Sequence, residues 1–354
     1  MKAIRFHQYG DTDVLRYEDV AVPDPGVGQV RVRVAGTTFN GVDANIRAGN
    51  MQGPMPLTLP HVPGLDLAGT VDALGTDTNG LAVGDQVVGF LPFVVDGASA
   101  DYVLAPAESL APAPTSVPLT DAAALPLVGL TAWQALFEHA GLTSGQRILI
   151  NGASGAVGGY AVQLAHAVGA HVIATGAASN QQHLLELGAD EVIDHTTTDV
   201  GSAVSEPLDV LLNLAPVTPE QLSALAALVG DGGVVVNTTV WMPAPSDEAR
   251  GVRGIDLYVR SDADQLAELV ARVDAGTLRV DVGERVSLDD VPDVHARAAA
   301  DGAVGRPDEA AVGHVVGGPL RAAAGLLAAH PARPRLTSSP QPLPWVCFRA
   351  LRAG

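Results

Sequence analysis

Residues Ile148–Thr175 read ILINGASGAVGGYAVQLAHAVGAHVIAT and change period twice. Ile148–Ile150 is a short apolar run of the kind that fills a strand covered on both faces. Gly152, Gly155 and Gly158 follow at three-residue spacing, with Ser154, Ala156 and Val157 between them. Val157, Ala161, Leu164, Ala165 and Val168 then recur at the offsets of one helical face. "HVIAT" (171–175) is a second strand. A turn between strand and helix must bend tightly, let a diphosphate approach without a Cβ in the way, and present N–H groups at a helix N-terminus. Glycine spacing alone is a weak signal. Set between these elements it points to a dinucleotide site, in preference to a tight turn without a ligand.

The segments after it repeat the alternation. "NQQHLLELG" (180–188) is a helix closed by Gly188, and "DEVID" (190–194) a third strand. "LDVLLNLA" (208–215), "VVVNTT" (234–239) and "IDLYVR" (255–260) read as strands four to six. "PEQLSALAALV" and "DADQLAELVARVDAG" supply helices. Six strands with helices between them predict a doubly wound parallel sheet, an α/β fold.

Residues 1–121 differ. "KAIRF", "QVRVRVAGT", "LAGTVDALG", "DQVVGF" and "ADYVLAP" alternate or carry β-branched residues, punctuated by Gly and Pro. The expected organisation is a β domain over 1–121, a nucleotide-binding domain over 122–275, a return to the first domain over 276–318, and a tail over 319–354. Residues 301–354 carry a net +3 while the preceding 300 carry −22, and their Pro/Arg-rich end lacks periodicity. "GHVVGG" (313–318) is the β-like run that would supply a final strand. Residues past about Gly318 are expected to be flexible, to pack against nothing and to be dispensable. A shifted reading frame near residue 301, or an appended segment, would each produce such a change.

Composition narrows the function. The 354 residues suffice for two domains with sizeable cores. A net charge of −19 argues against nucleic-acid and anionic-membrane partners, which need basic stripes. Cys347 is the only cysteine, so neither an intrachain disulfide nor a cysteine zinc cluster can form. "MKAIRFHQYGDTD" lacks the apolar core of a signal peptide, and the apolar stretch Ala122–Leu136 contains Pro126 and is too short to span a bilayer. A cytoplasmic location is expected.

The adenosine end gives a cofactor expectation. Sites that prefer NAD place Asp or Glu about twenty residues past the first glycine, to accept from the ribose 2′-hydroxyl. Here Thr175, Gly176, Ala177, Ala178, Ser179 and Asn180 fill that place. With no carboxylate to repel a 2′-phosphate, NADPH is favoured. No Arg or Lys follows, which leaves His183 and His195 as candidate charge partners, each equally readable as a solvated surface histidine.

"FNGVDANIRAG" (39–49), "HVPGLDLAGTVDALG" (61–75), "VGDQVVGF", "ADYVLAP", "AAALPLVGLTAWQAL" and "NGASGAVGGYAVQLA" occur in collinear order over residues 1–300. Together they resemble the zinc-free, quinone-oxidoreductase-like branch of the medium-chain dehydrogenase/reductase superfamily. The resemblance implies a GroES-like β domain, split in sequence around a Rossmann domain, with NADPH as hydride donor and a homodimer. It implies Asn40 and Thr131 beside the nicotinamide as the catalytic candidates, and Gly155, Ala156, Val157 and Gly158 around the diphosphate. It places Thr175, Gly176, Ser179, Asn180 and His195 at the adenosine-phosphate pocket. Leu214, Ala215, Thr238 and Thr239 fall at sheet ends flanking the cofactor.

Where zinc-dependent relatives of that superfamily carry Cys and a His-Glu pair, this chain has Thr38–Asn40 and Leu65–Asp66. His61, between Pro60 and Pro63, is expected to be a loop or wall residue and not a ligand, so no metal is expected. Without zinc to hold an alkoxide, reduction of a substrate already primed for hydride is the easier chemistry, and quinones and α,β-unsaturated carbonyls are so primed. Asp43 and Arg47, four apart, are expected to form a structural ion pair. Asp66 is expected to support the site floor, and Tyr102 to be structural. An enoyl-thioester or polyketide-tailoring reductase is the alternative enzyme reading. An NADPH-binding protein without turnover is the non-enzyme alternative.

Overall fold

A computed structural model of the chain describes residues 1–53, 55–239, 242–300, 314–315 and 345–347. Strands β1 (Lys2–Phe6) and β2 (Leu15–Asp19) pair antiparallel. The long strand β3 (Gln29–Phe39) leads through Asn40 into helix α1 (Gly41–Ala48), which Gly49 closes at φ +85°. Strands β4 (Asp66–Leu74), β5 (Gln86–Phe90), β6 (Tyr102–Pro106) and β7 (Leu110–Pro112) complete the first β layer around β3. Val30, Val32 and Val34 alternate inward and meet Leu67, Val71, Val87 and Val103 in one core, as a half-buried strand requires. Tyr102 is structural as expected: β6 pairs with β3, and the Arg31 guanidinium lies 5.7 Å from the Tyr102 ring centroid.

Helix α2 (Pro126–Trp133) bridges to the second unit. Proline at N1 or N2 suits its start, because an N–H there has no helical partner anyway. Then come β8 (Arg147–Asn151), α3 (Ala156–Ala167), β9 (His171–Gly176), α4 (Gln181–Glu186), β10 (Glu191–Asp194), α5 (Val200–Ala203), β11 (Leu208–Asn213), α6 (Pro219–Ala226), β12 (Val229–Asn237), β13 (Arg253–Asp256) and α7 (Ala263–Asp274). The six strands β8–β13 are parallel, in the order β10-β9-β8-β11-β12-β13. The order reverses between β8 and β11, which opens a crevice at their carboxyl ends. Both faces are covered. Ile148, Ile150, Val172, Val210 and Leu212 enter one core, while Leu149, Ile173, Leu211 and Val235 enter the other. Each fully buried side chain of this size contributes about 1.5–3 kcal/mol relative to exposure. The expected α/β architecture, a GroES-like β unit with a six-stranded Rossmann sheet, is the one found.

The sixth strand is shorter than its sequence predicts. It ends at Asp256. Leu257 still donates its N–H to Asn237 O (2.8 Å), but Arg260 N donates to Gln134 Oε1 (3.1 Å), which draws Tyr258 and Val259 off the sheet edge.

Beyond α7, β14 (Val286–Ser287) and α8 (Val291–Ala300) return to the first unit. Strand β15 (His314–Val315), inside the run expected to form the final strand, pairs antiparallel with Phe39 and Thr38. Strand β16 (Trp345–Cys347) pairs parallel with β3 and antiparallel with β14. Three residues of the stretch expected to pack against nothing are thus seated in the sheet. The remaining residues of 301–354 lie outside those described. Among the described residues no helix is long and apolar enough to cross a membrane.

Candidate active site

A cleft of about 440 Å³ lies at the carboxyl edge of the six-stranded sheet, between the two units. The glycine turn forms one wall. Gly152, at φ +85°, bends the chain off β8, and a Cβ there would meet the Ala215 N and Cβ atoms at 3.0 Å. Gly155 is the N-cap of α3, and a Cβ there would meet only Gly152 O, at 3.4 Å. The first turn of α3 leaves its N–H groups without helical acceptors, directed at this open space. Gly158 has another role. Its Cβ would fall 2.4 Å from Ala153 O and 2.5 Å from Ala153 Cα, so its bareness lets α3 pack on the turn.

A row of buried amides holds this edge in place. Thr175 Oγ1 donates to Asn151 Oδ1 (2.9 Å) and accepts from Gly152 N (2.9 Å). Asn151 Nδ2 donates to Asn213 Oδ1 (2.8 Å), Asn213 Nδ2 to Asn237 Oδ1 (2.9 Å), and Thr239 Oγ1 to Asn237 Oδ1 (2.7 Å). These residues are buried. An unpaired amide there would be costly, so the row fixes the relative positions of four strand ends. Sequence reading missed Asn151, Asn213 and Asn237. The signal was present: an Asn closes each of three parallel apolar strands.

The first unit supplies the opposite wall. Asn40 precedes α1, and its Nδ2 donates to Thr38 Oγ1 (2.8 Å) and Asp66 Oδ2 (2.8 Å). Thr38 Oγ1 also donates to Asp66 Oδ2, and Leu127 N donates to Asp66 Oδ1 (2.6 Å). Asp66 thus joins Asn40, a cleft residue, to the N-terminus of α2. Burial pushes its pKa up to about 6 against the lowering effect of these hydrogen bonds. Asp43 is pushed up to about 7 by the same desolvation, while its carboxylate accepts from Asn40 N (2.8 Å) and Gly64 N (3.1 Å).

The Asp43–Arg47 ion pair expected from spacing does not form. Arg47 points away, fully buried, with Nη2 3.8 Å from Asp11 Oδ1 and Nη1 3.4 Å from His295 Nδ1. Backbone N–H groups satisfy Asp43 instead. His61 is a wall residue of the first unit: its ring is edge-on to Phe6, with Nδ1 3.6 Å from Asp96 Oδ1, and it lies outside the cleft lining. Among the described residues no group of three or more His, Cys, Asp or Glu could hold a metal.

Of the residues singled out from sequence, Asn40, Thr131, Gly152, Gly155, Ala156, Val157, Gly158, Leu214 and Thr238 line this cleft together. Gly176 lines a second cavity of about 290 Å³ with Ala177, Ala178, Gln181, Val192, Ile193, Asp194, Thr198 and Ala203. Ser179 and His195 are exposed and line neither cavity. Ser154, Asn180, Ala215, Thr175 and Thr239 are also outside both linings, and the last two act through the amide row. His183 lies beside Arg279 (3.3 Å) and Asp281 (3.5 Å), next to α3. Sequence reading missed Asp194, which stands in register with Gly176 on the neighbouring parallel strand and, among the described residues, carries the one charge in the second lining. Its Oδ1 accepts from Thr196 N (2.9 Å) and Thr196 Oγ1 (2.6 Å).

The remaining cleft walls are apolar: Val42, Met51, Met55, Phe93, Leu127, Val128, Leu257 and Val259, with Asn45 and Tyr258 as further polar members. Such a site fits a flat or apolar ligand with few polar groups.

Residues 26–115 match the family described as alcohol dehydrogenase GroES-like domain, and residues 187–306 the family described as zinc-binding dehydrogenase. The chain is 31% identical over 322 residues to the chloroplast envelope quinone oxidoreductase homolog of Arabidopsis thaliana, covering 86% of this chain and 97% of that one. It is 40% identical over 213 residues to a chloroplastic quinone-oxidoreductase homolog of Spinacia oleracea, a match that spans 58% of this chain and 64% of the relative. The quinone oxidoreductase from Coxiella burnetii superposes with a TM-score of 0.76 at 26% identity, over 89% of this chain and 98% of that one.

Proposed function

The chain belongs to the quinone-oxidoreductase-like branch of the medium-chain dehydrogenase/reductase superfamily, and on that premise we propose that it is an NADPH-dependent, zinc-independent reductase of quinones or α,β-unsaturated carbonyls. Membership makes it an oxidoreductase that uses a nicotinamide cofactor. The observation that carries the finer reading is the cleft itself. A dinucleotide turn, two amide-bearing side chains and an apolar wall converge in one space of about 440 Å³.

The residues present fit the cofactor. The open side of Gly155 and the first N–H groups of α3 would hold the diphosphate. Both Asn40 Nδ2 hydrogens are already donated, so Asn40 would offer its Oδ1 as an acceptor at the nicotinamide end, with Thr131 beside it. Leu214 and Thr238 would flank the ring, and the second cavity would take the adenosine. When bound, the dihydronicotinamide supplies a hydride. The apolar walls exclude water from the reacting carbon and orient a flat acceptor against the ring.

Zinc independence is supported by the donor set: Thr38, Asn40 and Asp66 are hydrogen-bonded to one another, and neither His nor Cys stands among them. NADPH is supported by the lack of an acid over 176–180 and by the commitment of Asp194 Oδ1 to its own turn. A homodimer belongs to the same proposal, since β13 is the outer strand of its sheet. Protein-dependent oxidation of NADPH in the presence of a panel of quinones and enones tests the reading.

A further inference from the structure

Reduction of a conjugated carbonyl places negative charge on its oxygen, and the donors available in the cleft decide what can meet it. Asn40 gives both amide hydrogens to Thr38 and Asp66. The Thr131 hydroxyl donates to Leu127 O (2.7 Å), and the Thr238 hydroxyl to Asn213 O (3.1 Å). Asn45 gives one hydrogen to Gly41 O (3.2 Å) and keeps one. Among the described lining residues, Tyr258 carries the one hydroxyl that donates to no protein acceptor. It stands two residues past the end of β13, at the carboxyl edge of the sheet, where ligands of such folds bind. Its backbone is pinned on both sides: Leu257 N donates to Asn237 O (2.8 Å) and Arg260 N to Gln134 Oε1 (3.1 Å). Yet the residue is 65% exposed, a large aromatic left at the mouth of an apolar cleft.

We propose that Tyr258 is a catalytic residue that donates a hydrogen bond, and then its proton, to the carbonyl oxygen of the acceptor. The inference rests on the reductase reading above. As hydride adds to the carbon conjugated with the carbonyl, a C–H bond forms and the π pair moves to oxygen. The substrate gains two electrons and the dihydronicotinamide is oxidised. The Tyr258 O–H bond breaks as the substrate O–H bond forms. Bulk water returns the proton to the phenolate, for which the exposure of the ring leaves a path. The spare N–H of Asn45 can polarise the same oxygen but cannot give up a proton.

The full-length protein with NADPH and a small cyclic enone tests the assignment through Tyr258→Phe, which keeps the ring at an exposed position. Loss of a positioned acid and oxyanion donor is expected to lower kcat about 10²-fold with KM changed less than about threefold. A second readout needs no turnover. Visible absorbance titration of para-nitrophenolate into the protein with NADP⁺ should give at least about tenfold weaker binding in the variant. Unchanged kcat and unchanged nitrophenolate affinity would overturn the assignment. So would a loss that appears in Asn45→Leu and not in Tyr258→Phe. A wild type that reduces neither quinone nor enone would instead remove the reductase reading, while the nitrophenolate titration still decides for or against Tyr258.

Discussion

Substitution at Gly155 and at Gly158 should separate cofactor binding from folding, although sequence spacing gives the two glycines one role. Gly155 has φ −75° and ψ 172°, which any residue can adopt, and a Cβ there meets only Gly152 O at 3.4 Å. Valine at this position places its methyl groups in the cleft, where the diphosphate would approach the N–H groups of α3. Gly155→Val is therefore expected to leave the melting temperature within about 2 °C, because exposed changes that touch no packed atoms cost little. NADPH affinity should fall by more than about tenfold, or about 1.4 kcal/mol. At Gly158 even alanine puts Cβ 2.4–2.6 Å from the O, Cα and C atoms of Ala153, and backbone cannot swing aside as a side chain can. Overpacking of this kind costs about 1–3 kcal/mol. At roughly 2–4 °C per kcal/mol for a cooperative unit of 150–250 residues, Gly158→Ala should lower the melting temperature of the six-stranded-sheet unit by about 2–12 °C. Thermal melting of the ligand-free protein and fluorescence titration with NADPH supply both readouts. A Gly155→Val protein that binds NADPH as the wild type does, or a Gly158→Ala protein with unchanged melting, would refute the division of roles.

Two further outcomes follow from the carboxylates Asp194, Asp43 and Asp66. Asp194, held ionised by its hydrogen bonds to Thr196, faces the cavity assigned to adenosine. Asp194→Asn should therefore raise the NADPH-to-NADH affinity ratio severalfold, and a ratio unmoved or lowered in paired titrations would exclude Asp194 from the 2′-phosphate end. Asp43 and Asp66 have native pKa values raised by burial to about 7 and about 6. The native state then holds these protons more tightly than the unfolded chain. Their favourable contribution is full below about pH 4 and is lost as pH rises through about 6–7. Urea unfolding should show the wild type losing stability relative to Asp43→Asn, by more than about 1 kcal/mol between pH 5 and 8. A constant difference across that range would contradict the burial argument.

The sheet was legible in the sequence because its signals are local. A three-residue apolar strand, a glycine turn and a 3.6-residue stripe lie within twenty-eight positions, and each later strand carries its own apolar run. Boundaries were harder. "IDLYVR" is apolar enough for a six-residue strand, but a bond from Gln134, 126 positions away, takes Arg260 off the edge. The same remoteness hid the partners of Arg47, since His295 lies 248 positions on, and spacing alone suggested Asp43. The site was legible as a place more than as a set of roles. Asn40 and Thr131 line the cleft, but only the folded chain shows that their donors are already engaged. Asp194 was missed because parallel pairing, and not sequence distance, sets it opposite Gly176.

The most direct test follows the near-ultraviolet absorbance of NADPH while purified protein, free of added metal and treated with a chelator, meets a quinone or an enone. The proposed function predicts protein-dependent loss of that absorbance, faster with NADPH than with NADH and unaffected by the chelator. Absorbance that stays constant across the whole acceptor panel, despite tight NADPH binding, would make the protein a dinucleotide binder without this turnover. Activity abolished by the chelator would contradict zinc independence.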